Sequence, residues 1–273
     1  MNLKKFANKN ILITGASSGI GEAMALLLAN TSANLFLTGK NWVNLTVDRE
    51  KYDKMRRHAL KGTTFSTHLF DVDFSDKDSI NAFLSAITNE GWSFDYIFLN
   101  AGVSQRARSL ETDFSVDRTI METNFFGPVY LIKQLSGMLL SGKPVHIAVT
   151  TSISGLFGFP LRSAYCASKH ALFGFFESLA LEYEHIKVTF LIPGRINTQI
   201  SKSALLGDGT AYSKSDSGQA NGMDVNKCAR IALRAIRKGK HRQLIGGKEL
   251  LMVYVKKYIP WLFYRLARKI SAT

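Results

Sequence analysis

Tyr165 and Lys169 stand four residues apart in Tyr165-Cys-Ala-Ser-Lys169, with Ser152 thirteen residues before the tyrosine. Near the start of the chain, Thr14-Gly-Ala-Ser-Ser-Gly-Ile-Gly21 forms a glycine-rich run. A phenol ionises near pH ~10 in water, too high for ready proton transfer at neutrality. On a helix, side chains at i and i+4 are neighbours, so Lys169 sets an ammonium one turn from Tyr165 and favours the phenolate. A tyrosine and a lysine at this spacing are also a common surface pair, so the surrounding residues decide between the two readings. Together with the glycine run, the set points to nicotinamide-dependent carbonyl/alcohol chemistry.

Gly15, Gly19 and Gly21 follow the strand-like Ile11-Leu-Ile-Thr14 and precede an apolar helical pattern. Glycine permits left-handed backbone and lets main-chain N–H groups approach a pyrophosphate at a helix N-terminus. Ser17, Ser18 and Ile20 belong to the same turn, and either serine could donate to phosphate. An acid that binds a free adenosine ribose belongs about 20 residues further on, at the end of the second strand. The chain reads Leu37-Thr-Gly39-Lys40 there. An uncharged Gly39 followed by Lys40 favours a 2′-phosphate, hence NADP(H) over NAD(H). The plainer alternative is that Lys40 only solvates the strand end.

Positioning these residues requires a particular architecture. Short runs rich in β-branched and aromatic residues recur at Ile11–Ile13, Asn34–Thr38, Thr64–Phe70, Tyr96–Leu99, Val145–Thr150, Val188–Ile192 and Gln243–Ile245. Helix-period segments separate them, at Ile20–Asn30, Val43–Leu60, Lys77–Asn89, Ser115–Leu140, Ala164–Glu184 and Val225–Lys238. Alternating β and α with buried strands predicts an α/β, single-domain, doubly wound (Rossmann-like) parallel sheet of about seven strands, with helices on both faces. That domain covers residues 1–247, and a basic amphipathic helical tail covers 248–273. The small, polar, glycine-rich stretch within 195–224 reads as a mobile loop leaving the carboxyl edge of the sheet. It is either a substrate lid or a plain surface loop.

With these motifs in place, the chain resembles the short-chain dehydrogenase/reductase family. The carriers are Thr14-Gly15-x-x-x-Gly19-x-Gly21, Asp71-Val72, Asn100-Ala101-Gly102, Asn124, Ser152, Tyr165-x-x-x-Lys169 and Pro193-Gly194-x-x-x-Thr198, in the family's order. Ser-Gly-Leu-Phe-Gly-Phe-Pro and Tyr-Cys-Ala-Ser-Lys-His-Ala-Leu look, more loosely, like members that act on bulky apolar ketones and alcohols. The resemblance implies a catalytic set of Asn124, Ser152, Tyr165 and Lys169. Tyr165 would be the acid in reduction and the base in oxidation, Ser152 would hold the substrate oxygen, and Lys169 would also hold the nicotinamide ribose. Asn124, within a long helix, would anchor a water linking Lys169 to solvent. Asp71 would accept from the adenine amino group with Val72 beside it, and Asn100, Ala101 and Gly102 would pass under the adenine ribose. Pro193, Gly194, Ile196 and Thr198 would complete the cofactor contacts. The helices Ser115–Leu140 and Ala164–Glu184 resemble those of the family's dimer interface, which implies a homodimer or homotetramer.

On the substrate side, Ser154, Phe157, Phe159 and Arg195 join Ser152 and Tyr165, with aromatic walls suited to an apolar small-molecule carbonyl or alcohol. Phe157 and Phe159 serve equally well as core or dimer contacts, and Arg195 either selects a carboxylate or caps its loop. The 18 residues from Pro144 to Leu161 lack formal charge, but their Thr, Ser, Gly and Pro content reads as strand plus loop rather than a span. Two cysteines and no apolar leader before the first strand favour a reducing, cytoplasmic setting. The six histidines show no metal-ligand spacing, so no metal is expected.

The net charge of +14 is unevenly placed. Met1 to Asn226 holds 22 Lys/Arg and 20 Asp/Glu, whereas Lys227 to Thr273 holds 13 against one. Leu262, Leu266 and Ile270 repeat at i+4 beside Arg265, Arg268 and Lys269. This cationic amphipathic helix either lies peripherally on the inner face of an anionic membrane or packs on the body or a second copy. No nucleic-acid motif accompanies the charge, so nucleic acid is not an expected partner. The reading that competes with catalysis is a catalytically silent NADP(H)-binding interaction protein that docks through the tail.

Overall fold

The strands that line the site are apolar almost throughout, and the fold buries them on both faces. The computed structural model describes residues 2–40, 42, 50, 66–214 and 216–268. The strands are β1 (Asn10–Ile13), β2 (Asn34–Gly39), β3 (Thr67–Asp71), β4 (Tyr96–Leu99), β5 (Val145–Thr150), β6 (Ile186–Pro193) and β7 (Arg242–Ile245). They form one parallel sheet in the order β3-β2-β1-β4-β5-β6-β7. Strand alternation splits the core in two. Leu12, Phe36 and Ile97 join one layer, and Ile11, Ile13, Leu35 and Phe98 join the other.

The helices are α1 (Gly19–Leu28), α2 (Lys77–Asn89), α3 (Phe114–Met121), α4 (Gly127–Gln134), α5 (Ser136–Leu139) and α6 (Ser163–Glu182). They continue with α7 (Ser217–Ala220), α8 (Val225–Lys238), α9 (Leu251–Tyr258) and α10 (Pro260–Ala267). Local chemistry sets several ends. Asp76, Asp113 and Asp224 accept from backbone N–H groups at the starts of α2, α3 and α8. Gly239, at φ 63°, ends α8 in the left-handed region. The helix expected at Val43–Leu60 lies outside the described residues.

Two expectations change. The single helix foreseen at Ser115–Leu140 is interrupted by a π turn, Glu122–Phe126, between α3 and α4. The extra residue in that turn carries Asn124, which is buried. The segment expected to be a mobile loop is pinned. Leu205 pairs with the 104–106 strand-like stretch through Arg106 N–H to Leu205 O (2.8 Å) and Leu205 N–H to Ser104 O (2.9 Å). Asp113 N–H donates to Gly207 O at 2.8 Å, and Met223 N–H to Arg195 O at 2.9 Å.

Candidate active site

In the sheet order, β1 and β4 are neighbours whose connections run in opposite directions, which opens a crevice at their carboxyl ends. A cleft of about 430 Å³ lies there. On one side stand Gly15, Ser17, Ser18, Gly19 and Ile20 of the glycine turn, and on the other Thr150, Thr151, Tyr165 and Lys169.

The turn is built for close approach. Gly15 has φ 63°, and a Cβ there would stand 2.7 Å from Ala101 Cα. A side chain on Gly21 would overlap Gly15 O. Thr14 Oγ1 ties the turn to the end of β4 by accepting from Asn100 N–H (2.9 Å) and Ala101 N–H (3.1 Å). Asn100 Nδ2 donates to Gly15 O at 3.3 Å. These bonds leave a cradle of main chain ahead of α1, suited to a pyrophosphate. Asn100, Ala101, Gly102, Val72, Lys40, Pro193 and Thr198 also line the cleft. Asp71 ends β3 with an exposed side chain, while Gly194 and Ile196 lie behind the wall.

At the end of β2 a side chain in place of Gly39 would meet Ser17 at 2.7 Å, so no carboxylate fits there. Lys40 Nζ pairs with Asp73 Oδ2 at 2.5 Å. Partial burial works against the Asp73 carboxylate, but Lys40 and two bonds from Ser75 outweigh it and hold its pKa below the usual value. Asp73 had no motif to announce it, although it follows Asp71-Val72 directly.

The catalytic candidates converge at the other end. Tyr165 and Lys169 project from the first turns of α6, both buried. Ser152 precedes a 3-10 turn, Ile153–Gly155, and its Oγ accepts from Ser154 N–H at 3.1 Å. Burial pushes the Tyr165 pKa up, opposed by its hydrogen bond with Ser152 and by the cations Arg162 and Arg106. Lys169 Nζ donates to Thr150 O at 3.0 Å and lies 5.8 Å from the Tyr165 ring centre. Burial lowers its pKa to about 8. The i+4 spacing therefore brings the ammonium near the phenol without placing the two in direct contact.

Asn124 is buried and holds Val103, which lines the cleft. Its Oδ1 accepts from Val103 N–H (2.8 Å), and its Nδ2 donates to Val103 O (2.9 Å) and Ser168 Oγ (3.0 Å). A Cβ on Gly102 would come within 3.0 Å of Asn124 Oδ1 and 3.3 Å of Lys169 Nζ, so this glycine keeps the space between them open.

The expected substrate residues divide. Ser154 and Phe157 are buried away from the cleft, and Phe157 packs at 4.9 Å against Phe263 of α10 and at 5.3 Å against Phe159. Arg195 lines a separate surface groove with Gly218 and Gly222. The apolar wall of the cleft comes instead from Val103, Ile200 and Leu205, with Thr119, Thr123, Gln199 and Ser203 among its polar members. Ile200 and Leu205 belong to the 195–224 segment, whose glycine-rich character drew attention away from its few apolar residues.

A glycine turn at the switch point of a parallel sheet, facing a buried tyrosine, lysine and serine, defines a dinucleotide-dependent oxidoreductase site. The family model described as short chain dehydrogenase matches residues 9–207. The chain is 35% identical over 260 residues to dehydrogenase/reductase SDR family member 7B of Xenopus laevis, covering 94% of this chain and 80% of the relative. It is 32% identical over 283 residues to dehydrogenase/reductase SDR family protein 7-like of Anopheles gambiae, covering 100% of this chain and 87% of that one. Among solved structures, a short-chain dehydrogenase/reductase from Burkholderia phymatum in complex with NAD superposes with TM-score 0.76 at 20% identity, covering 94% and 95% of the two chains. A short-chain dehydrogenase from Sphingobium yanoikuyae in complex with NADPH gives 0.72 at 20% identity, covering 97% of each. The chain belongs to the short-chain dehydrogenase/reductase family and is an oxidoreductase acting on CH–OH groups.

Proposed function

We propose that the chain interconverts an apolar carbonyl and its alcohol with NADP(H) in preference to NAD(H). The observation that carries this is that Tyr165 and Lys169 line the same cleft as Gly15 and Gly19 of the glycine turn, with Ser152 buried beside Tyr165. The dinucleotide, when bound, supplies or receives the hydride. In reduction, Ser152 orients the carbonyl oxygen and Tyr165 gives up its phenolic proton to it. Lys169 holds positive charge behind the phenol, and Asn124 holds Val103 of the cleft wall. Val103, Ile200 and Leu205 exclude water and favour an apolar substrate.

Preference for the 2′-phosphate rests on Gly39, where no side chain fits, and on Lys40 at the rim. Lys40 turns from Asp73 toward the phosphate when it binds. Lys40→Ala raises KM for NADPH about tenfold while leaving that for NADH nearly unchanged; equal effects on both cofactors would overturn the preference.

Turnover is tested by following NADPH oxidation over a panel of sterol, retinal, acyl and quinone carbonyls. Tyr165→Phe abolishes it, and NADPH still binds by fluorescence titration. Full turnover in that variant would remove Tyr165 from the mechanism.

Two assemblies extend the reading. A second copy packs through α3–α4 and α6, where Phe126 and Leu181 are exposed, giving a homodimer or, by repetition, a homotetramer. The outer face of α9 and α10 carries exposed Tyr258, Trp261 and Tyr264 beside Lys257, Arg265 and Arg268, and it docks on an anionic lipid surface. Among the described residues no helix is long and apolar enough to cross a membrane.

A further inference from the structure

At the start of α6, the helix that carries Tyr165, three charged side chains from distant parts of the chain meet. Arg106 lies on the loop after β4, Arg162 immediately before α6, and Asp216 in the 195–224 segment. The side chains of Arg106 and Asp216 are only 1% and 6% exposed. Arg106 forks onto the carboxylate, with Nε 3.3 and 3.1 Å from its two oxygens and Nη2 2.5 Å from Oδ2. Arg106 Nη1 also donates to Ser104 Oγ (2.9 Å) and Gln105 O (2.5 Å). Ser201 Oγ donates to Asp216 Oδ2 at 3.1 Å and accepts from Arg106 Nη2 at 3.3 Å. Arg162 Nη2 reaches the same Oδ2 at 3.4 Å.

Two guanidinium groups therefore share one buried carboxylate, and the cluster keeps a net positive charge. The chain enters it through Leu161, which has φ 60°, a strained conformation for a non-glycine residue. Ala107 N–H holds that turn by donating to Leu161 O at 3.2 Å, and Gln105 Oε1 accepts from Ala164 N–H at 2.9 Å. None of the three charged residues lines the cleft, so none touches substrate or cofactor.

We propose that Arg106, Arg162 and Asp216 are positioning residues: their buried ion cluster fastens the 195–224 segment, which gives Ile200 and Leu205 to the cleft wall, to the start of α6, and holds surplus positive charge one turn ahead of Tyr165 on that helix. The groups facing Tyr165 are Ser152 from the loop after β5, Arg106 from the loop after β4, and Arg162, Cys166 and Lys169 from the start of α6 and its own helix. The neighbouring face of α3 packs Val116 and Ile120 with Tyr165, and the uncharged Thr119 lines the same cleft. Arg162 and Arg106 both stabilise the phenolate, while Asp216, paired with both arginines, cancels part of their charge. The lid position and the acidity of the proton donor thus depend on one contact. This inference rests on Tyr165 being that donor, so its test reads Tyr165 without requiring turnover.

The test uses the full chain without cofactor. Ionisation of Tyr165 is read as the tyrosinate absorbance difference between each protein and the same protein carrying Tyr165→Phe. Asp216→Asn leaves the two arginines uncancelled, so the Tyr165 transition moves down by about one pH unit. Arg162→Gln leaves a neutral Arg106–Asp216 pair, so the transition moves up by a similar amount. Arg162→Lys keeps the charge and leaves the transition in place. In parallel, Asp216→Asn releases the segment, and limited proteolysis within 207–222 becomes about tenfold faster or more. Circular dichroism with NADPH binding confirms that each variant is folded. Shifts of the same sign in Asp216→Asn and Arg162→Gln, or an unmoved transition in both, overturn the electrostatic role. Unchanged proteolysis of Asp216→Asn overturns the fastening. A chain that shows the shifts yet reduces no carbonyl refutes the catalytic reading while leaving the cluster's effect on Tyr165 standing.

Discussion

Lys169 illustrates how function is obtained at the expense of stability. It is a buried cation whose pKa falls from 10.5 to about 8, with burial as the cause. That difference corresponds to about 3 kcal/mol of destabilised charge at neutral pH. The unfolded chain binds the proton more tightly than the folded one, so stability rises as pH climbs from about 8 toward 10.5. Lys169→Met removes the charge, keeps most of the volume, and loses the bond to Thr150 O. A net gain of about 1–2 kcal/mol is expected at pH 7, raising Tm by about 5 °C while turnover is lost. The gain shrinks as pH rises through the window above 8. Calorimetry at pH 7 and pH 10 checks the sign, and a variant equally destabilised at both would contradict the buried-cation account.

At the scale of elements, the π turn between α3 and α4 carries Asn124, whose amide holds Val103 of the cleft wall. Asn124→Ala leaves the partly buried Val103 N–H and C=O without these partners, at a cost of about 2–3 kcal/mol. The urea midpoint is expected to fall accordingly and turnover to drop more than tenfold; an unchanged midpoint would show that water replaces the amide without loss. This turn was not legible in the sequence, because apolar residues continue at helical spacing from Val116 to Leu139 and one extra residue in a turn leaves the pattern almost intact. The strands were legible for the opposite reason. Runs such as Tyr96–Leu99 are buried on both faces, so every residue reports the environment. The glycine turn and the Tyr165–Lys169 pair were equally readable, since each is local and its spacing carries the chemistry. For Phe157 the sequence left wall and core equally open, and its packing against Phe263, far along the chain, belongs to the core reading. The Arg106–Asp216 contact spans 110 residues between two loops, where spacing carries no signal.

For the whole molecule, the proposed membrane contact rests on the basic C-terminal region. The sequence left the last helix either packing on the body or a second copy, or lying on a membrane, and the structure shows it packed on the body. Phe263 and Ala267 are buried in the main core, so α10 is part of the body. Its opposite face, with the end of α9, still exposes Tyr258 (67%) and Trp261 (68%), aromatic residues of the kind that settle at lipid headgroups. Lys256 folds back onto Tyr264, its Nζ 2.6 Å from the hydroxyl, leaving Lys257, Arg265 and Arg268 as the outward cations. A second copy would bring an equally positive face, so this charge favours an anionic lipid surface over self-association. Near such a surface each cation contributes about 1 kcal/mol, and three together about a hundredfold in partitioning. Because α10 belongs to the core, the test substitutes its outer face and retains the helix. Lys257→Glu with Arg265→Glu is expected to abolish flotation with phosphatidylserine-rich vesicles, and Trp261→Ser to weaken it, with Tm and NADPH binding preserved. Wild-type flotation should fade with rising salt and be absent on purely zwitterionic vesicles. Retention of full flotation in the double variant, or a concentration-dependent dimer that this variant alone dissolves, would assign the face to another partner.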